Sequence, residues 1–497
     1  MVPFFPKLAA RLNQKFSKER IDQVHLGYIV AFVIFITLHK LIPYNAYLPQ
    51  LFDSALYSIF AIVGALLVAY DFLSGRIPLY SRVTLCMIAF LLICLVSSFV
   101  NMRYGLLSNL KTIVWTGIHF FVLFASSRGK TRDQVFREVR LVFTPFSVIW
   151  LVGVLLSLGL FITLQGGFIT LMDGTKSEYG FIKERLFGAF TDPNVAGILS
   201  LTSIALSVFC LRGKRRKLVK AYHIFNIVCM VLYAILSSSR TTLLAGALAF
   251  TVVLTLYLFQ RLDRKKLAGF WKRSVCVVCS AVIAAGMVLG SGLIHKQLAY
   301  LPAIYEEIVD SNKTEHQLKP IDLNRTDVGD GKDISNLRFK IWSNALDLFK
   351  ESPIIGTSPR NHLAYAEIYT PNQIIHKKQY SIHNGYLAVL VTTGIAGAAV
   401  FLLLAAHAAE TLYLGFIAKK TKTKETGYLP LLFILILLAI SAVSMMGIVF
   451  GNSISEVAFW LVLGYLFTMV PGQFDKPPRF LKYIKYDQES VGQMKQA

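Results

Sequence analysis

The chain has 497 residues, of which 55% are hydrophobic and only 16% charged, and its mean hydropathy is +0.56. Soluble domains carry about 25% charged residues, so the composition excludes an ordinary soluble protein and points to one built in a bilayer. The net charge of +23 raises nucleic acid as a partner, but the cations are dispersed between apolar runs rather than clustered among exposed aromatics, which excludes a nucleic-acid strip.

About 20 apolar residues cross the hydrocarbon core as a helix. The N-terminal segment, 1–24, has no continuous apolar run and so no cleavable signal, which makes the first span an uncleaved anchor. Its Phe4, Phe5, Leu8, Leu12 and Phe16 stand among basic residues. That pattern suits a helix lying in an anionic membrane surface and equally a disordered basic tail. Nine spans follow at 25–43, 54–73, 83–100, 110–127, 136–162, 193–211, 222–236, 240–259 and 272–293. A long polar loop covers 294–382. Three more spans lie at 383–405, 428–450 and 452–470, and 471–497 is a polar tail expected to be poorly ordered. The expected fold is an all-α integral membrane protein of about twelve transmembrane helices, with one large loop containing short amphipathic helices.

Charge sets the orientation. With the N-terminus in the cytoplasm, most lysines and arginines fall on inside segments, among them Arg128 to Arg140, Arg212 to Lys220, Arg261 to Arg273 and Lys419 to Lys424. This is the positive-inside pattern, and it puts both termini in the cytoplasm and 294–382 outside.

Three outside segments carry polar signals. The loop 163–192 ends at Asp192-Pro193-Asn194, where a side chain caps the next span. Ser237-Ser238-Ser239-Arg240 is a tight turn between two spans, and its serines are hydroxyl donors for phosphate oxygens. In the long loop, Asp327, Asp330 and Asp333 lack the alternate spacing of a calcium loop, so Asp322 to Asp333 reads as a linker. From Asn336, the residues Leu337, Ile341, Ala345, Leu348 and Phe349 recur at helical spacing until Ser352-Pro353 stops the helix. Arg338 and Trp342 are four apart, share an edge and are placed to stack.

Arg240 opens a span at the outside end, where positive-inside logic gives no reason for an arginine. Its functional reading stands against that of an interfacial arginine reaching headgroups. Arg338 is a functional cation or a solvated one, and Arg360, in the turn Gly356 to Arg360, is a weaker third. A guanidinium suits a diphosphate because it is planar, always charged and bidentate. His383 precedes Asn384 and Gly385 at the start of a span, where the helix dipole disfavours the imidazolium and leaves a neutral base; a capping or interfacial histidine is the competing reading. His39, His119 and His407 read as packing residues, as do Cys276 and Cys279. Gly394 and Gly397 allow close helix packing. Glu456, in the last span, is the one candidate for a proton or ion path. A transporter would also need broken helices and repeated halves, and neither is visible. No zinc-type cluster, phosphate loop or serine–histidine–aspartate arrangement is found, so no metal or cofactor is expected.

His383-Asn384, nine residues, then Gly394-Ile395-Ala396-Gly397 resembles a motif of the O-antigen ligase and polymerase superfamily. Arg338 with Trp342, Arg240 after its serines and the Asp192-Pro193-Asn194 turn resemble further features of that family, over about residues 185–405. The resemblance implies a metal-independent, inverting glycosyltransferase of the bacterial cytoplasmic membrane. It implies an undecaprenyl-diphosphate-linked glycan as donor and a glycan or lipid as acceptor. A flippase and a chain-length regulator would be its partners. On this reading His383, Arg338 and Arg240 are catalytic. Arg240, Arg338, Trp342, Asn384, Ser239, Arg360, Asp192 and Asn194 bind substrate. The expected activity is polymerase. A ligase passing a finished glycan to a lipid or wall acceptor is the alternative, and a transporter or flippase is the alternative of another class.

Overall fold

In a computed structural model, residues 6–213, 215–262, 269–309, 319–324, 335, 337–418 and 426–478 are described. The aromatic pair Phe4 and Phe5, the three linker aspartates, Asn336, Lys214, Arg264 to Lys266, Lys419 to Lys424 and the tail cations from Arg479 onward lie outside them. Lipid offers backbone groups no hydrogen bonds, so the apolar runs fold as helices. The N-terminal part holds α1 (Pro6–Lys15), α2 (Lys18–Leu38), the short α3 (Ile42–Tyr47), α4 (Gln50–Leu73), α5 (Arg82–Val100), α6 (Leu106–Ile118) and α7 (Arg132–Ile162). Helix α6 runs on through a π-helical turn, His119–Phe124. Next come α8 (Pro193–Leu211), α9 (Lys217–Leu236), α10 (Arg240–Leu262), α11 (Gly269–Leu298) and α12 (Leu301–Val309). The long loop carries α13 (Arg338–Glu351), α14 (His362–Tyr369) and α15 (Ile374–Lys378), and the chain closes with α16 (Gly385–Phe416), α17 (Leu429–Ser441) and α18 (Ile454–Thr468).

Among the described residues ten helices are long and apolar enough to cross a membrane, and α17 and α18 are shorter apolar helices. Each overlaps an expected span, but the expected span 428–450 is helical only over Leu429–Ser441 and continues as turns and bends. Segment 1–24 forms a helix rather than a tail where it is described. Asn13 Nδ2 donates to the Ser74 carbonyl at 3.3 Å, and the Phe16 ring meets Tyr70 edge to face.

The expectation of an all-α fold needs one correction. The loop 163–192 is a three-stranded antiparallel sheet, β1 (Gly166–Thr170), β2 (Lys176–Ile182) and β3 (Arg185–Gly188), in the order β1-β2-β3. The turn from β1 to β2 closes when Asp173 accepts the Thr175 N–H at 2.9 Å, an Asx turn. The tail is corrected as well, since residues 471–478 are docked: Arg82 N–H donates to the Lys476 carbonyl, Arg128 pairs with Asp475 at 2.6 Å, and Phe474 packs on Phe124 and Phe467.

Helix α16 is interrupted. Gly394 has φ 64° and ψ −169°, outside the helical region. The turn after α13 fills the break. Ile395 and Ala396 N–H donate to the carbonyls of Pro353 and Ile354, and in return Thr357 and Ser358 N–H donate to the carbonyls of Val391 and Thr392 (2.8–3.1 Å). Broken spans are tolerated where protein re-satisfies the freed backbone groups, and here the 353–358 turn does so. The sequence reading gave Gly394 a packing role and saw no broken helix; the structure shows the break. A Cβ at Gly394 would overlap the Ile354 carbonyl.

Gly394→Ala therefore adds a left-handed strain and an overlap with rigid backbone, an expected cost of about 2 kcal/mol or more. In detergent-purified protein its melting temperature should fall by several degrees. Gly290→Ala, where nothing lies within 4 Å of the added Cβ, should melt like the parent. Equal melting of the two variants would show that the break does not depend on glycine.

Candidate functional site

The helix ends on the face that carries α13 to α15 gather the polar residues. Asn384 is the N-cap of α16, accepting the N–H groups of Tyr386 and Leu387 at 3.0 Å each. The Gly385 N–H donates to the Ala442 carbonyl at 2.7 Å, which fixes this end against α17. His383 sits one residue before the cap with φ 51°. Left-handed backbone is costly for a histidine and persists only where its surroundings enforce it. The ring lies edge to face with Tyr380 at 6.0 Å.

His383 and Asn384 line a cavity of about 670 Å³, together with Arg360, His39, Lys40 and Glu456. Arg360 is held from two sides: its N–H donates to Asn109 Oδ1 at 2.8 Å and its Nε to Thr112 Oγ1 at 3.2 Å. Helix α13 buries Ile341, Ala345 and Leu348 in one cluster with Ile382 and Val391. That packing brings Arg338, at its first turn, beside the residue after Ile382. Burial and the Arg338 charge push the His383 pKa below its ordinary 6.5, opposed by Asp192. The neutral base expected from the sequence thus has those causes. His362 is also lowered, to about 4, by burial and the Arg360 charge.

Asp192 caps α8, accepting the Asn194 N–H at 2.7 Å. Asn194 accepts a hydrogen bond from Arg185, whose Nε donates to the Ser237 carbonyl at 2.7 Å. Arg185 therefore ties the Asp-Pro-Asn turn to the turn that ends at Arg240. Arg240 opens α10 with an exposed side chain. Ser239, read as a phosphate donor, is fully buried, and its Oγ accepts the Thr242 N–H at 3.2 Å as a helix cap. Trp342, read as a stacking partner of Arg338, meets the Phe339 ring edge to face at 5.6 Å.

The structure thus brings His383, Asn384 and Arg360 to one cavity and sets Arg338 and Asp192 within charge range of His383, whereas Arg240 and Arg338 are not among the lining residues, and Arg185 links only the turn before Arg240 to Asn194. Sequence reasoning missed Arg185 and Lys40. Lys40 carried a signal: it is a cation at the end of the first span where the positive-inside pattern calls for none. His39, read as packing, lines the cavity, and its Nε2 lies 3.3 Å from Asp53 Oδ2. Glu456 stands in the first turn of α18 rather than along a path through the membrane. It forms a capping box with Ser453 and faces the same cavity as His383.

Residues 225–402 match the family model described as O-antigen ligase. The matched stretch contains Arg240, Arg338, Arg360, His383, Gly394 and Gly397, and it bears out the family resemblance carried by the motifs. No curated protein matches the chain.

If neutral His383 carries the chemistry, activity should fall on acidification only below pH 6.5, because both burial and Arg338 disfavour the charged ring. Arg338→Gln removes one of those two causes, so the acid limb of the residual rate should move to higher pH. An acid limb that stays in place in Arg338→Gln would separate the arginine from the histidine.

Proposed function

From the O-antigen ligase domain at residues 225–402, we propose that this protein is a polymerase of cell-surface polysaccharide. It transfers an undecaprenyl-diphosphate-linked glycan to an acceptor sugar at the outer face of the bacterial cytoplasmic membrane. The family implies a membrane enzyme of the ligase or polymerase type acting on a lipid-linked glycan. The observation that carries the finer reading is His383, lowered in pKa beside Arg338, on the wall of a polar cavity at the end of α16.

In this reading His383 accepts the proton of an acceptor hydroxyl. The hydroxyl oxygen bonds to the donor's anomeric carbon while the bond from that carbon to the diphosphate oxygen breaks, with inversion. Arg240 and Arg338 hold the diphosphate and stabilise the charge that develops on it. Arg360 and Asn384 orient the acceptor, and Asp192 with Asn194 hold the two turns in place. Protein charges and proton transfer carry the step, and the mechanism assigns no role to a metal. Both termini are cytoplasmic, as the positive-inside pattern requires. A chain-length regulator and a flippase are the partners a polymerase needs.

Polymerase activity is preferred because nothing in the chain is suited to a particular lipid-core acceptor. Deleting the gene and separating the carrier-linked glycans tests this: single repeats left on the carrier support a polymerase, and full-length chains a ligase. His383→Ala should lower transfer by at least ~100-fold, the usual scale of a general base, while binding of the carrier-linked donor persists. Arg240→Lys and Arg338→Lys keep the charge and lose the bidentate fork, so transfer should fall at normal membrane levels. Near-normal transfer by His383→Ala would remove the assigned role.

A further inference from the structure

The matched domain supplies only part of the cavity around His383. The other wall comes from outside residues 225–402: Lys40, on the turn after α2, and Asn452, Ser453 and Glu456, at the start of α18.

Lys40 is fixed by backbone pairing. The Thr191 N–H donates to the Lys40 carbonyl at 3.2 Å, the Ile42 N–H donates to the Ala189 carbonyl at 2.8 Å, and Leu41 bridges Phe190. The side chain is half-buried and faces the cavity. Among the described residues its ammonium has no ion pair within 4 Å and no hydrogen bond; Asp192 and Glu456 are the carboxylates whose charge reaches it. A cation withdrawn from water without a direct partner is expensive, and a ligand that completes its hydrogen bonds offsets that cost.

Glu456 is the complementary half. Its Oε2 accepts the Ser453 N–H at 3.0 Å and the Ser453 Oγ–H at 3.1 Å. Oε1 accepts no hydrogen bond among the described residues. Two glycines leave space around the carboxylate: a Cβ at Gly447 would lie 2.5 Å from Oε1, and one at Gly451 would overlap the carboxylate. Any side chain at either position would cover the group.

The charges select the class of ligand. The cavity mixes signs: Lys40 and Arg360 are cations and Glu456 an acid, with the Asp192 charge also reaching Lys40, so neither a simple anion nor a simple cation is matched on both sides. A neutral polyol satisfies both sides, since each hydroxyl donates to a carboxylate and accepts from an ammonium. We propose that Lys40 and Glu456 form a sugar-recognition pair that grips adjacent ring hydroxyls of the acceptor glycan, one donating to Glu456 Oε1 and its neighbour accepting from Lys40 Nζ. The pair positions the sugar whose next hydroxyl gives its proton to His383, and this inference rests on the transferase reading above. A site built to bond hydroxyls rejects sugars that lack them, because its polar groups are then left unpaired.

The test uses the full-length protein in nanodiscs, with the carrier-linked glycan that accumulates in the deletion strain as probe. Glu456→Gln preserves the capping box, which glutamine also forms, while removing the charge. Lys40→Met leaves α18 untouched and serves if Glu456→Gln folds poorly. Each should raise the acceptor KM by ~10-fold or more with kcat within about threefold, as expected when a contact shared by ground and transition state is lost. The double variant should be little worse than the weaker single, since both residues hold one sugar. If KM for both variants stays within about twofold of the parent while His383→Ala is inactive, the pair is not a recognition site and the transferase reading stands. A fall in kcat at unchanged KM would likewise overturn it. If His383→Ala transfers normally, the reading of the site fails first, whatever the pair does.

Discussion

The site depends on a backbone exchange inside the membrane. A span that stops being helical at Gly394 frees N–H and C=O groups where no water can satisfy them. The 353–358 turn supplies the missing partners and is in turn satisfied by the carbonyls of Val391 and Thr392. Because the exchange runs in both directions, the long loop is part of the bundle rather than a flap above it. Gly356 shares the constraint, since it has φ 72° and a Cβ there would overlap the Thr392 carbonyl. Everything that follows the turn inherits a fixed position. Arg360 is only four residues from Gly356, and Asn101 Nδ2 reaches the Gly356 carbonyl at 3.1 Å from the end of α5.

A second layer of order is electrostatic. Asp192 is a helix cap, and its charge reaches both Lys40 and His383. Arg185, pinned between Asn194 and the Ser237 carbonyl, bonds the turns before α8 and α10. Buried charges of this kind stabilise little by themselves, because desolvation offsets most of the attraction. What they provide is registry. The ends of α2, α8, α10, α16 and α18 are held at mutual positions that apolar side chains in lipid would leave loose. Cations, imidazoles and a carboxylate then share one cavity without neutralising one another.

That arrangement divides the work. The stretch that matches the O-antigen ligase family model, 225–402, holds Arg240, Arg338 and His383. The flanking helices contribute the polar wall facing His383.

By itself the sequence determined the material and the plan. Runs of apolar residues mark the helical spans, because lipid offers the backbone no hydrogen-bond partners. The amphipathic helix from Arg338 to Glu351 and the cap at Asp192 were legible from local pattern, since their chemistry is local. The order of Arg240, Arg338, His383 and the two glycines was enough to point to the family. The tertiary structure decided what depends on distant partners. No local pattern tells that Gly394 breaks its helix, because the groups that make the break tolerable sit forty residues earlier, at Pro353 and Ile354. Ser239, read as a phosphate donor, is spent as the cap of α10, a role its place one residue before the helix made equally local. Lys40 and Arg185 drew no reading from the sequence, and Glu456 read as an isolated acid in the last span. They become one neighbourhood only when 189–191 pairs with 40–42 and α18 begins beside α16, and those contacts are set by packing across the whole bundle.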